Sequence, residues 1–264
     1  MSVMLAATLV VTLFAFTGIW LIHVKTRDAG YVDFYWGPGF AVIALMHGAY
    51  SGYTAASAIL TSAVLIWAAR LSAHLVGRHR KSLSEDGRYA AMREAGGSAY
   101  WWKSLFTVFL LQGFLQWVIA APIHAVFVQS HFGLMVWPMF LLGLILFGIG
   151  LWIEWIADSQ LAAHKAEAVA TGGLLTSGLW SACRHPNYLG EMILWSGIGL
   201  SAFAATQSPY AILGPLVLGA AMRFVSIPLT EEHLQKSRPQ YAAYKARTPM
   251  LIPRLSAFRN AEAS

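Results

Sequence analysis

The chain has 264 residues, of which 57% are hydrophobic and only 11% charged. Soluble domains carry about a quarter charged residues, so the composition argues against a water-soluble enzyme and excludes a disordered chain. One cysteine, Cys183, excludes an intramolecular disulfide framework. The formal charge of +6 matters in so apolar a chain through its placement around a membrane, and does not indicate nucleic acid.

Apolar runs lie at 3–22, 32–50, 54–76, 104–127, 134–157, 187–206 and 209–229. Each approaches or exceeds the ~20 residues that cross a hydrocarbon layer as a helix. Backbone groups there must satisfy one another, which favours helices. The prediction is an all-α integral membrane bundle of about seven transmembrane helices. The first run lacks a basic start and a small-residue cleavage site after Ile22, so it reads as a retained span. The second is the weakest, because Asp33, Gly37, Pro38 and Gly39 interrupt its start.

Basic residues follow alternate spans. Lys25 and Arg27 come first, then Arg78, Arg80, Lys81, Arg88, Arg93 and Lys103, then Lys165 and Arg184. The tail adds Lys236, Arg238, Lys245, Arg247, Arg254 and Arg259, whereas 51–53, 128–133 and 207–208 hold none. The positive-inside rule then sets the N-terminus outside and the C-terminus in the cytoplasm.

Asp33, Arg70, Glu154, Glu191 and Arg223 fall within or at the cytoplasmic ends of spans whose outer halves are almost wholly apolar. This pattern predicts a polar cavity open to the cytoplasm and plugged on the far side, which suits a channel or pump poorly. Snorkelling accounts for Arg70 and Arg223 equally well. Gln112 and Gln116 stand one turn apart, as interhelical bonds or ligand contacts. Glu154 and Asp158 share a helix face, as partners for a ribose hydroxyl or for loop lysines. His47, toward the outer end, receives no role.

The densest polar segment runs from Thr176 to Glu191 behind Gly172 and Gly173. Pro186 suits the first turn of a helix. Arg184 and His185 then stand at its N-terminus, an anion-favouring place, and arginine offers a fork matched to phosphate. Asn187 and Glu191 are one turn apart on the same face. Together these residues read as a phosphate or nucleotide clamp at the cytoplasmic mouth. A second segment, Glu231-Glu232-His233-Leu234 with Tyr241, Tyr244, Arg247 and Pro249, is amphipathic and suits the membrane surface or a fold over that clamp. Glu85-Asp86-Gly87-Arg88-Tyr89, in the long third loop, is a third candidate segment, and a solvated charged loop is its default explanation.

The stretch Leu175-Thr-Ser-Gly-Leu-Trp-Ser-Ala-Cys-Arg-His-Pro-Asn-Tyr-Leu-Gly-Glu191 resembles the nicotinamide-binding signature of membrane sterol reductases and steroid 5α-reductases. Tyr241, Tyr244, Pro249 and Ile252-Pro253 resemble the end of the same proteins. Val32-Asp-Phe-Tyr-Trp-Gly-Pro-Gly-Phe40 resembles the N-terminal signature of a bacterial, inner-membrane branch of 5α-reductase-like proteins. A shorter Arg-His-Pro-x-Tyr-x-Gly form also marks membrane isoprenylcysteine and phospholipid methyltransferases. The resemblance implies one domain over 1–264, with substrate-side helices in 1–130 and a cofactor-binding part in 131–258. The family's adenosine-contacting Asn-x-x-x-Asp falls on Glu154 and Asp158, the first a departure. Its phosphate contact falls on Lys165, and further cofactor contacts fall on Arg184, His185, Asn187, Tyr188, His233 and Tyr244. The family's motif carboxylate is Glu191. Of the Glu and Tyr that polarise a steroid ketone, Asp33 is the nearest carboxylate. Trp67 occupies the tyrosine position, which leaves Tyr31 and Tyr35 as replacements.

The expectation is therefore an NADPH-dependent reductase that passes hydride to the C=C bond of a lipophilic, steroid-like or isoprenoid enone. Asp33, Tyr35 and Glu191 are its expected catalytic residues, and no metal is expected. Asp33, protonated in an apolar setting, would hold the carbonyl and stabilise the enolate. Two rivals stay open: a methyltransferase using S-adenosylmethionine on a lipid or prenylated thiol, and a non-enzymatic lipid-binding protein. The expected partners are a lipophilic small molecule and membrane lipids.

Overall fold

The apolar runs become helices, as the hydrogen-bond demand of hydrocarbon requires. The computed structural model describes residues 2–82, 85–128, 136–167 and 173–253. Arg254, Arg259 and Gly172, named above, lie outside them.

In chain order come α1 (Ser2–Thr26), α2 (Tyr31–Ser51), α3 (Ala55–Ser82) and α4 (Gly87–Gly96). A 3₁₀ turn (Gly97–Ala99), α5 (Tyr100–Ser104), a π-helical stretch (Leu105–Leu110) and α6 (Leu111–Ile119) follow without a break. Then come α7 (Ala121–Val128), α8 (Trp137–Glu167), α9 (Leu179–Ala182), α10 (Pro186–Thr206) and α11 (Tyr210–Ala221). A second π stretch (Met222–Ser226) leads into α12 (Ile227–Ser237), and α13 (Tyr241–Arg247) ends the series. No strand occurs among the described residues.

Among the described residues six helical stretches are long and apolar enough to cross a bilayer: Val3–Thr26, Ala55–Arg80, Gly87–Ile119, Trp137–Ala166, Pro186–Thr206 and Tyr210–Ser237. The chain is a multi-pass membrane helical bundle. The expected second span forms as α2, whose 21 residues reach about 31 Å at ~1.5 Å per residue, but it is not among the six. Its neighbours explain why its composition is more polar. It packs on α1, α3, α6 and α7, and Val32, Gly37, Gly39, Phe40, Ile43 and His47 are buried among them, so much of its surface faces protein. The expected fourth span, 104–127, also differs. It begins at Gly87, capped by the Asp86 side chain accepting from Arg88 N–H at 3.0 Å. It ends at Ile119, just before Pro122, whose ring cannot follow a continuous ladder.

The chain forms two compact units, Met1–Leu144 with Gly197–Leu218, and Ile145–Ser196 with Gly219–Ser264. In the first, α2 is held at both ends. Gly39 leaves room for the Gln116 amide, which a Cβ would overlap, and Gln116 Nε2 donates to the Trp36 carbonyl at 2.7 Å. Farther along, His47 Nε2 meets His124 Nδ1 at 2.8 Å, and His124 Nε2 meets the Trp117 carbonyl at 3.2 Å. A carbonyl only accepts, so His124 donates from Nε2 and the neutral pair takes its link from His47 N–H. This buried pair joins α2 to α7 in the half read from sequence as apolar. Helices in lipid approach most closely through small residues. In the second unit a Cβ on Gly190 would lie 2.6 Å from Glu154 N and 2.7 Å from Gly150 O, so α8 and α10 touch backbone to backbone.

Candidate functional site

In the second unit the helix start written by Arg-His-Pro is closed by the protein's own tail. Arg184 N–H donates to Pro249 O at 2.9 Å and His185 N–H to Met250 O at 3.2 Å. The Arg184 guanidinium donates from Nε to Glu231 at 2.7 Å and from Nη1 to the Lys245 and Thr248 carbonyls. His185 Nε2 lies 3.1 Å from the same Glu231 oxygen, and Lys245 Nζ is 2.9 Å from the other. Arg184, His185 and Glu231 are all buried. One carboxylate thus gathers three nitrogen donors. The expected phosphate fork is largely spent on Glu231 and the tail.

The surroundings are tight. Tyr188 stacks on His185 with ring centroids 5.6 Å apart. Tyr244 Oη donates to the Trp180 carbonyl, and Trp180 Nε1 donates to the Ala157 carbonyl at 3.1 Å. Gly178 holds φ 59°, with Gln160 packed where a Cβ would stand, and Gln160 Oε1 accepts from Leu179 N–H at 3.0 Å. Burial pushes the Tyr244 phenol up, and burial together with the Glu231 carboxylate does the same for Tyr241. Burial also raises the Cys183 thiol to about 11.

Asn187 and Asp158 are brought together, Asn187 Nδ2 donating to Asp158 Oδ1 at 3.4 Å. Glu154, Asp158 and Glu191 are buried on α8 and α10. Lys165 and His233 are exposed. His233 stands two residues from Glu231, about 200° round the helix, so it points away from the carboxylate cluster.

In the first unit Asp33 does not sit in an apolar setting. Its Oδ1 accepts from Tyr89 Oη at 2.7 Å, and its Oδ2 accepts from Arg88 Nη2 at 3.3 Å. Gln112 Nε2 reaches the same phenol oxygen at 3.4 Å. Tyr89 is 5% exposed. Tyr35 turns instead to Phe16, edge to face at 5.5 Å. Arg88 also bonds Asp86, Nε to Oδ1 at 2.9 Å, and Arg78 reaches Asp86 at 3.5 Å. Burial opposes ionisation of Asp86, but the Arg88 hydrogen bond and charge outweigh it and hold its carboxyl at about 2. Glu85 accepts from Ala29 N–H at 2.8 Å, at the start of α2, and pairs with Arg93. The segment read as a solvated loop is therefore docked on the first turn of α2.

Sequence reasoning placed Arg88, Tyr89 and Glu231 inside candidate segments but gave none of the three a role of its own. The available signals were an arginine-tyrosine dipeptide just before a span and a carboxylate two positions before His233. Among the described residues no group of three or more His, Cys, Asp or Glu is placed to hold a metal ion.

A family model described as "Protein of unknown function (DUF1295)" matches residues 19–248. The cobalt-zinc-cadmium resistance protein CzcN of Cupriavidus metallidurans is 38% identical over 87 residues, 33% of this chain and 38% of that protein. The nickel-cobalt-cadmium resistance protein NccN of Alcaligenes xylosoxydans xylosoxydans is 35% identical over 88 residues, 33% of this chain and 39% of that protein. In both cases the matched stretch spans under two fifths of the relative's length. The protein C594.04c of Schizosaccharomyces pombe is 25% identical over 271 aligned positions, 90% of this chain and 76% of that protein. No solved structure matches.

Proposed function

The chain belongs to the DUF1295 family, and on that premise we propose that it is an NADPH-dependent reductase of a lipophilic enone, steroid-like or isoprenoid, in a bacterial inner membrane. The observation that carries this reading is the phenol of Tyr89 bonded to Asp33 beside the Gln112 amide. A buried O–H backed by a carboxylate is what a developing enolate oxygen needs, and methyl transfer has no use for it.

The residue chemistry fits the nucleoside end of the cofactor. Asp158, Asn187 and Glu154 offer acceptors and a donor for ribose hydroxyls and amide groups. Lys245, with 41% of its side chain exposed, and the exposed Lys165 would take phosphate charge. Arg184 would serve by holding the tail that carries Lys245. When bound, NADPH supplies the hydride that goes to the β-carbon. In the first unit Tyr89 would turn its hydroxyl to a substrate carbonyl and stabilise negative charge there, and a solvent-derived proton would complete the α-carbon. Glu191, buried on α10 one turn from Asn187, helps orient the cofactor end of this chemistry.

One observation favours a second reading. With the Arg184 fork committed to Glu231, Lys245 O and Thr248 O, fewer cations meet a dinucleotide, and S-adenosylmethionine carries no phosphate. Calorimetric titration of the purified protein with each ligand, and NADPH oxidation driven by a panel of lipophilic enones, separates the two. The reductase reading expects NADPH binding and enone-dependent oxidation. It also expects Tyr89→Phe to lower kcat about a hundredfold, the usual cost of one oxyanion donor, with unchanged NADPH affinity. Binding of S-adenosylmethionine alone replaces it with the methyltransferase, and binding of neither leaves the lipid-binding protein.

A further inference from the structure

A phenol has one proton. In this structure Tyr89 spends it on Asp33 Oδ1 at 2.7 Å, while its oxygen accepts from Gln112. To donate to a ligand oxygen, Tyr89 must withdraw that proton from Asp33. A part-buried carboxylate that loses a hydrogen bond is costly. Among the described residues the other side-chain donor bonded to Asp33 is Arg88, which approaches Oδ2 at 3.3 Å. Arg88 is itself fixed, because Asp86 accepts from its backbone N–H, its Nε and its Nη2 at 3.0, 2.9 and 3.2 Å.

We propose that Arg88, held by Asp86, is a positioning residue that keeps Asp33 satisfied when the Tyr89 hydroxyl turns to a ligand oxygen. The guanidinium is the compensating partner that lets the phenol leave. Three features agree with this role. Arg88 and Tyr89 are adjacent and grip the two oxygens of one carboxylate. The Asp86 N-cap anchors that dipeptide at the first turn of α4. Glu85 ties the same segment to the start of α2, where Asp33 stands, through Ala29 N–H and Arg93. Arg93 lies on the same latch and bonds Glu85 and the Arg27 carbonyl. It therefore serves as a control for simple loosening.

The kinetic consequence rests on the reductase reading, but the compensation itself does not, so the test has two arms. Tyr89→Phe mimics the phenol turned away. In the detergent-purified full chain, Arg88→Gln is expected to lower Tm at least twice as far in the Tyr89→Phe background as in the wild type. Arg88→Lys in that background should recover part of the loss. In turnover, Arg88→Gln is expected to lower kcat at least tenfold with little change in NADPH affinity, whereas Arg93→Gln lowers Tm and leaves kcat within about twofold. Additive Tm losses overturn the proposal whether or not any enone is reduced. Equal kcat for Arg88→Gln and Arg93→Gln in a protein that does reduce enones also overturns it. Failure of every enone, with Tm coupling intact, sinks the reductase reading and leaves the compensation standing.

Discussion

Replacing Glu231 with Gln probes the most heavily loaded charge in the second unit. Its side chain is 4% exposed and lies 2.7 Å from Arg184, 3.1 Å from His185 and 2.9 Å from Lys245. The amide that Glu231→Gln introduces keeps one acceptor oxygen but removes the charge, which leaves the buried Arg184 without its counterion. Breaking a buried pair by removing one partner costs about 3–5 kcal/mol, and the surviving acceptor puts this change near the lower end. At roughly 2–4 °C per kcal/mol for a chain of this size, the expected fall in melting temperature is roughly 6–12 °C. Thermal unfolding of the detergent-solubilised protein measures it. Cys183 gives a local readout, because it adjoins Arg184 in sequence, is 1% exposed and is the sole thiol. Alkylation by a maleimide should be slow in the wild type and at least tenfold faster in Glu231→Gln. Glu232→Gln, which removes only an exposed pair with Lys236, should change neither. A Glu231→Gln protein that melts within about 2 °C of wild type, with Cys183 still protected, would refute the claim that this carboxylate holds the tail.

Other expectations follow from the same geometry. The Cys183 thiol, raised by burial to about 11 from an ordinary value near 8.5, contributes stability below the ordinary value and loses it as pH climbs through the raised one. Wild type should therefore lose its stability advantage over Cys183→Ala between about pH 9 and 11, read by melting temperature at each pH. Asp86 runs the opposite way. Its carboxyl is held at about 2, so its contribution is complete above the ordinary range near 4 and is lost as pH falls through the depressed value. The melting gap between wild type and Asp86→Asn should close over that interval, and a constant gap would count against the ion pair. Gly190→Ala places a Cβ 2.6 Å from Glu154 N and 2.7 Å from Gly150 O. Backbone atoms cannot give way, so a loss of about 1–3 kcal/mol is expected, and an unchanged melting curve would mean that α8 and α10 can part freely.

How much was readable in the sequence depended on how local the cause was. Pro186 announces the start of α10 by itself, and the apolar runs at 187–206 and 209–229 become α10 and the stretch from Tyr210 because length and hydropathy suffice in lipid. The basic positions Arg88 and Arg93 read as loop. They form a helix that docks on α2 through partners more than fifty residues away in sequence, Asp33 for Tyr89 and Ala29 for Glu85. Periodicity carries no information about such pairings. The same holds for Glu231, whose partners Arg184 and His185 lie 47 and 46 residues earlier. The Arg-His pair was legible as an anion-binding start. That the anion is a carboxylate of the chain itself was not.

The π-helical stretch Leu105–Leu110 has a consequence for how this chain tolerates length changes. A π turn holds an extra residue, so everything beyond it is rotated by about 100° compared with an uninterrupted α-helix. Gln112 and Gln116 lie beyond the offset, where they meet Tyr89 and Trp36. Deleting one residue from 105–110 would restore ordinary winding and leave the span long and greasy enough to insert. It would nevertheless swing both amides off their partners, a lesion that no substitution at those positions reproduces.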